Sequence, residues 1–247
     1  MLSKSLYQKY HSKSRLQRRI ISSKDFTYRN ILGSINKFLV KGKKILDIGS
    51  ATGTLSFYFA SRGLIVDGIE LSKNAYKFAN LNKKNLNVKN INFLNISIEG
   101  YKVKNKYDIV TCFEVLEHLK NDVAILNKIN TLMISKSILV VSVPSKNAPL
   151  YRMGLLDKFD KEVGHLRRYS TMEIRQKLSV TGFKVIRLVK SESILRNILY
   201  TNKLFSFIIL LTRFDIVNEV ISYLDHLFLK LFGESQLILV CKKKNGK

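Results

Sequence analysis

The chain has 247 residues, 46% of them hydrophobic, which suits one generous α/β domain with a full core. Its 2 cysteines, Cys112 and Cys241, sit inside apolar runs, which excludes a disulfide-stapled scaffold and fits a reducing, cytoplasmic setting. Lys and Arg number 43 against 18 Asp and Glu, and the formal charge of +25 favours an anionic partner: nucleic acid, an anionic membrane surface or a phosphorylated substrate.

The basic residues are spread along the chain, without an arginine-rich tract or an aromatic RNA-binding signature, so a solvated basic surface explains the charge equally well. Residues 1–24 read as a basic leader. They lack the apolar stretch of a secretory signal and carry no acid, so a mitochondrial address is the alternative to the cytoplasm. A helix is predicted from Asp25 to about Val40, stopped by Lys41-Gly42.

Strands and helices then alternate. Lys44–Ile48, Ile65–Glu70, Ile91–Leu94, Tyr107–Phe113 and Ser137–Val143 read as buried strands. Gly53–Arg62, a Ser72-capped run to Asn85, and Asp122–Met133 read as helices between them. That alternation implies right-handed βαβ crossovers and a parallel, doubly wound sheet. Ser145–Ser170 is polar and aperiodic, as a lid or substrate loop would be. Thr171–Thr181 reads as a helix with Thr171 as N-cap, Phe183–Val189 as a sixth strand and Gln236–Cys241 as a seventh, with Lys242-Lys243-Lys244 a solvated tail.

Residues 194–233 break the pattern. The apolar run Leu204–Leu211 is too short to span a bilayer. Ile216, Val217, Val220, Ile221, Leu224, Leu227, Phe228 and Leu231 then describe an amphipathic helix. Either this pair covers the sheet, or it is an interfacial anchor flanked by Lys203, Arg213 and Lys230. The expected organisation is a leader 1–24, one domain formed by 25–193 plus 234–242, and an apolar helical insertion 194–233.

Two features carry the chemistry. After the first strand the chain reads Asp47-Ile48-Gly49-Ser50-Ala51-Thr52-Gly53 before a helix opens. Gly49 and Gly53 allow a tight turn and close approach of a ligand, and the helix start offers unpaired N–H groups. The third glycine of a pyrophosphate-binding turn is missing, and Asp47 would repel phosphate but could receive an ammonium group. Glu70 ends the second strand, where a carboxylate can accept the hydroxyls of an adenosine ribose. Glu114, Glu117 and His118 follow the fourth strand, where a helix is expected to begin, and their spacing i, i+3, i+4 puts them on one helical face. Two Glu and one His can bind a divalent metal, with His165 as a fourth ligand; alternatively His118 acts as base or steadies the helix start. Mixed N/O ligation suits Mn²⁺, Zn²⁺ or Fe²⁺, while Mg²⁺ prefers oxygen alone. Arg167, Arg168 and Tyr169 could hold an anionic substrate group, or Arg167 and Arg168 could simply be solvated on their loop.

In ILDIGSATG, VDGIEL, KYDIVTCFEVLEHL and GHLRRYSTMEIRQKLSVTGF, over roughly residues 30–190 plus the final strand, the chain resembles the class I S-adenosylmethionine-dependent methyltransferases. The resemblance implies a Rossmann-like α/β fold: a seven-stranded, mostly parallel sheet with a reversed last strand. It implies S-adenosyl-L-methionine as cofactor, held by Asp47, Gly49, Ser50, Ala51, Gly53, Glu70, Leu71, Asn95 and Phe113. Asn95 stands where the family often has an adenine-contacting Asp. The Glu/His pattern is similar to that of quinone-biosynthesis O-methyltransferases and of small-RNA 2′-O-methyltransferases, which implies catalytic roles for Glu117, His118 and His165. The leading expectation is O-methylation of a lipid, quinone-like or lipid-linked acceptor, peripheral to a membrane. RNA 2′-O-methylation and a catalytically silent membrane-associated scaffold are the alternatives.

Overall fold

The computed structural model describes residues 16–102, 106–202, 204–205 and 207–244. Short runs rich in branched apolar residues become strands because they can bury both faces at once. These are β1 (Lys44–Ile48), β2 (Ile65–Ile69), β3 (Ile91–Leu94), β4 (Tyr107–Phe113), β5 (Met133–Pro144), β6 (Phe183–Ser191) and β7 (Gln236–Lys243). They form one seven-stranded sheet of order β3-β2-β1-β4-β5-β7-β6. β7 runs antiparallel to both its neighbours, while β1–β2, β2–β3, β1–β4 and β4–β5 pair in parallel. The doubly wound sheet with a reversed last strand is therefore as expected.

The helices are α1 (Arg29–Ile35), α2 (Thr54–Ser61), α3 (Lys73–Asn85), α4 (Asp122–Thr131), α5 (Pro149–Arg152), α6 (Asp157–Val163), α7 (Thr171–Val180), α8 (Ile194–Thr201), α9 (Phe207–Leu211) and α10 (Asp215–Phe232). Side-chain alternation along the strands feeds two cores. Ile45, Ile109, Val140 and Ile238 pack with Leu32 of α1, Phe57 of α2 and Ala79 of α3. Leu46, Val110, Val141 and Leu239 pack with Ile129 of α4 and Leu178 of α7. Each fully buried aliphatic side chain contributes about 1.5–3 kcal/mol relative to an exposed one.

Several boundaries differ from the sequence reading. The first helix begins at Arg29 rather than Asp25, because the Asp25 carboxylate accepts from the Ser22 amide and fixes a turn. It ends at Ile35 in a 3₁₀ turn, Asn36–Phe38. α4 stops at Thr131; Met133 pairs with Tyr107, and a bulge through Lys136 (φ 63°) restores the register at Ile138. The cap of α7 is Ser170, not Thr171: Ser170 accepts from the Glu173 amide and Glu173 from the Ser170 amide. The polar segment 145–170 contains α5 and α6. Lys243 belongs to β7 and its ammonium donates to the Asn130 and Met133 carbonyls, so the lysine tail is not wholly solvated. Residues 1–15 of the leader and Lys203 lie outside the described residues. In the amphipathic stripe of 216–231, Val217, Ile221 and Phe228 are half-buried and the other five are exposed, while the residues that α10 buries are Asn218 and Asp225.

Candidate active site

β1 pairs with β2 on one side and β4 on the other, so the strand order reverses there and opens a crevice at the carboxyl edge. The turn after β1 crosses this crevice with Gly49 at φ 73°, Ala51 at φ 48° and Gly53 at φ 89°. A Cβ on Gly49 would lie 2.5 Å from Val115 Cγ2, and one on Gly53 would lie 2.7 Å from the Phe57 and Phe93 rings. The glycines thus serve both the backbone angle and close packing.

Two clefts flank the turn. The first, about 310 Å³, is lined by Glu70, Leu71, Ser97, Val115, Leu119 and others. The second, about 360 Å³, is lined by Ala51, Phe113, Glu114, His165, Arg168 and Tyr200 among others. Gly49 and His118 line both.

Of the expected cofactor residues, Gly49, Glu70 and Leu71 reach the first cleft, and Gly49, Ala51 and Phe113 the second. Glu70 is buried and accepts from the Ala51 and Ser72 amides at 2.9 and 2.6 Å, which locks its carboxyl against the turn. Burial pushes that carboxyl up to about 6. Asp47 lines neither cleft. Its carboxylate accepts from Ser56 Oγ at 2.6 Å and Thr111 Oγ1 at 2.8 Å, and burial pushes it up to about 6. It braces the turn against α2 and β4. Ser50 is buried behind the turn, its amide donating to the Ile69 carbonyl. Asn95 spends its amide on the Glu70 and Leu71 carbonyls at 2.8 and 3.1 Å, and the residues after it, Ile96 and Ser97, line the cleft instead.

The segment after β4 is not an α-helix. Glu114 takes φ 52° and Leu116–His118 form a single 3₁₀ turn, so Glu114, Glu117 and His118 do not share one helical face. Glu114 turns toward β5 and β7, accepting from Ser142 Oγ at 2.7 Å and Gln236 Nε2 at 3.2 Å. Glu114 lines the second cleft with His118 and His165 but is not among the residues whose candidate ligand atoms converge. Glu117, His118 and His165 do converge, with candidate ligand atoms within 4.8 Å of one another. His118 Nε2 and His165 Nε2 each lie 3.8 Å from Glu117 Oε1. His118 Nδ1 donates to the Gly164 carbonyl at 3.0 Å, and His165 Nδ1 to Asp160 Oδ1 at 2.9 Å. A carbonyl and a carboxylate can only accept, so in both rings Nδ1 carries a proton and Nε2 faces the cluster.

Glu117 is fully buried and neither of its oxygens has a hydrogen-bond partner among the described residues. Burial and the Glu114 charge hold its carboxyl well above the ordinary range. Burial, partly offset by the Gly164 carbonyl, pulls His118 down to about 4. Two imidazoles with anchored Nδ1 protons and a fully buried carboxyl form a donor set that fits a divalent cation.

Of the three expected substrate residues, Arg168 lines the second cleft, but its guanidinium is bidentate on Asp160 at 2.7 and 2.6 Å. Arg167 instead pairs with Asp122 at 3.2 Å and donates to the Lys120 carbonyl. Tyr169 is buried and donates to Asp122 at 2.7 Å. These two tie the loop to the start of α4 and line neither cleft.

The second cleft also draws on Glu192, Asn197 and Tyr200, which the sequence reading missed. Glu192 follows the last residue of β6, takes φ 58°, and is pushed up to about 7 by burial. A carboxylate at a strand end is a readable signal; Asn197 and Tyr200 carry none, because α8 matches no motif.

Fold and site together define a doubly wound α/β domain with a glycine-bent turn and a buried carboxyl, Glu70, at the switch point. A family model described as a methyltransferase domain matches residues 39–201, and the chain belongs to that family. It is 32% identical over 116 residues to the ubiquinone biosynthesis O-methyltransferase of Aeromonas salmonicida, covering 47% of this chain and 49% of that one. It is 34% identical over 118 residues to the enzyme of the same name from Glaesserella parasuis, covering 45% and 50%. The chain spans about half the length of these curated relatives. Magnesium protoporphyrin IX methyltransferase from Synechocystis, solved with bound SAH, superposes with a TM-score of 0.63 at 16% identity, covering 98% of this chain and 95% of that one. The cyclase SpnF superposes at 0.64 with 15% identity, covering 88% and 82%, so this likeness speaks for the fold alone.

Proposed function

We propose that the chain is an S-adenosylmethionine-dependent O-methyltransferase acting on a phenolic, quinone-like acceptor. The observation that carries this reading is that Gly49 and His118 line both clefts, so a donor in the first and an acceptor in the second would meet between them. S-adenosylmethionine, when bound, supplies a methyl group on a sulfonium. In the first cleft Glu70 would accept the ribose hydroxyls, and Leu71, Val115 and Leu119 offer apolar faces to the adenine. Phe113 and Tyr200 would flank an aromatic acceptor in the second cleft and exclude water from it. The names of the curated relatives support a quinone-like acceptor.

Glu117, His118 and His165 would hold a divalent cation, Mn²⁺ or Zn²⁺ before Mg²⁺, whose chemistry is to lower the pKa of an acceptor hydroxyl. Asp160 and the Gly164 carbonyl keep the two rings turned with Nε2 forward. The metal-free reading gives the neutral His118 Nε2 the acceptor proton, and its place between the clefts favours that role equally. RNA 2′-O-methylation is favoured by the charge of +25, but the second cleft suits one ring better than a strand. A silent scaffold would bind the cofactor without turnover.

The test is transfer of a labelled methyl from S-adenosylmethionine to a prenylated catechol, with an RNA oligonucleotide as comparison. Label on the catechol oxygen, lost on chelation and restored by Mn²⁺ or Zn²⁺, is the expected result. Transfer unaffected by chelation assigns the proton to His118. Cofactor binding without transfer to either acceptor contradicts the proposal.

A further inference from the structure

α10 is built inside out. Its 18 residues turn Asn218 and Asp225 toward the protein, hold Val217, Ile221 and Phe228 half-buried, and leave the rest of the apolar stripe in water. Ile216, Val220, Tyr223, Leu227 and Leu231 repeat at helical spacing and all are exposed, Ile216 by 81% and Tyr223 by 70%. Over one helix of this length the stripe runs about 27 Å. The orientation is enforced from the polar side. Asp225 accepts from the Ser193 and Arg196 amides and pairs with the Arg196 guanidinium at 3.4 Å, and Asn218 donates to the Lys24 carbonyl at 2.7 Å. Rotating the helix to hide its apolar face would leave Arg196 buried without its partner, a change that costs several kcal/mol.

The patch extends beyond α10. α9 buries none of its residues, and Phe207 and Leu210 stand exposed. Arg152 at the end of α5 donates to the Phe232 carbonyl at 2.6 Å, which brings the exposed Met153 and Leu155 alongside. An exposed apolar stripe of this length marks an interaction site.

We infer that α9 and α10 lie flat on an anionic lipid bilayer, with the second cleft opening toward it. No described helix is long and apolar enough to cross a membrane, so the contact is along the surface. The net charge of +25 draws the chain to anionic headgroups and repels a second copy of itself, which disfavours self-association through the same stripe. Arg213 and Lys230 are exposed near the two ends of α10, while Glu219 is paired with Arg29 at 3.2 Å. α8, which lines the second cleft through Asn197, Tyr200 and Thr201, leads through residues 202–206 into α9. A lipid-linked acceptor would thus reach the cleft from the bilayer. This last point rests on the proposed function; attachment itself does not.

The experiment is flotation of the full chain with vesicles of phosphatidylcholine alone and of phosphatidylcholine mixed with phosphatidylglycerol. The wild type should float with the mixed vesicles, at least about tenfold more tightly than with the neutral ones. V220E/L227E changes two exposed residues and should abolish flotation while leaving circular dichroism and S-adenosylhomocysteine binding unchanged. Flotation that survives the double substitution overturns the inference, as does a wild type that ignores anionic vesicles or that sediments as a dimer which V220E/L227E dissolves. Absent S-adenosylhomocysteine binding with intact flotation would sink the proposed function and uphold the membrane contact.

Discussion

The imidazole rings of His118 and His165 stand with centroids 5.0 Å apart and tilted by 58°, one carried by the turn after β4 and the other by the loop after α6. The Leu166 amide donates to the Glu117 carbonyl at 2.9 Å and ties the two segments together. Glu117 Oε1 lies 3.8 Å from Nε2 of each ring and is fully buried. Asp160 orients His165 from behind, so Asp160→Asn should weaken Mn²⁺ or Zn²⁺ binding by about 10–100-fold. Calorimetric metal titration reads this; S-adenosylhomocysteine affinity should stay as in the wild type.

On the proposed function, Glu70 should couple cofactor binding to pH. Its carboxyl is raised to about 6, so it is ionised at neutral pH and gains a proton as the pH falls through that value. A proton removes the charged acceptor for the ribose hydroxyls. Affinity for S-adenosylhomocysteine should fall below pH 6, by at most about tenfold per unit. Glu70→Gln should weaken binding by about 10–100-fold at pH 7.5 and flatten the profile, both measured by calorimetry.

Gly49→Ala puts a Cβ 2.5 Å from Val115 Cγ2 on a residue at φ 73°. Either the turn relaxes or Val115 moves into the first cleft. A loss of about 1–3 kcal/mol in stability is expected, with cofactor binding weakened beyond detection. Thermal unfolding and calorimetry report the two effects separately.

The strands were legible because buried parallel strands leave continuous apolar runs: Lys44–Ile48, Ile91–Leu94 and Tyr107–Phe113 carry the same bounds in sequence and structure. The glycine turn and Glu70 were legible because their spacing from those strands is local. The Glu114-Glu117-His118 cluster was legible in composition but not in geometry, since a positive φ at Glu114 cannot be read from spacing. α5 and α6 have 4 and 7 residues, too short for a period to register. Periodicity found the stripe of α10 but not the side it faces, because Asn218 and Asp225 find partners in Lys24 and Arg196, far away in sequence.

Asp225→Ala should leave the Arg196 guanidinium, stacked on Phe26 at 3.7 Å, buried without its carboxylate. A loss of about 3–5 kcal/mol is expected, seen in denaturant unfolding. Replacing Arg196 and Asp225 together by apolar residues should cost less than either single change.

The central claim is that the first cleft receives the donor. A crystal of the chain soaked with S-adenosylhomocysteine tests it most directly. The account expects ribose hydroxyls on the Glu70 carboxyl, adenine between Leu71 and Leu119, and the sulfur facing His118 from the Gly49 side. A first cleft left empty, or the compound bound away from Glu70, would contradict it.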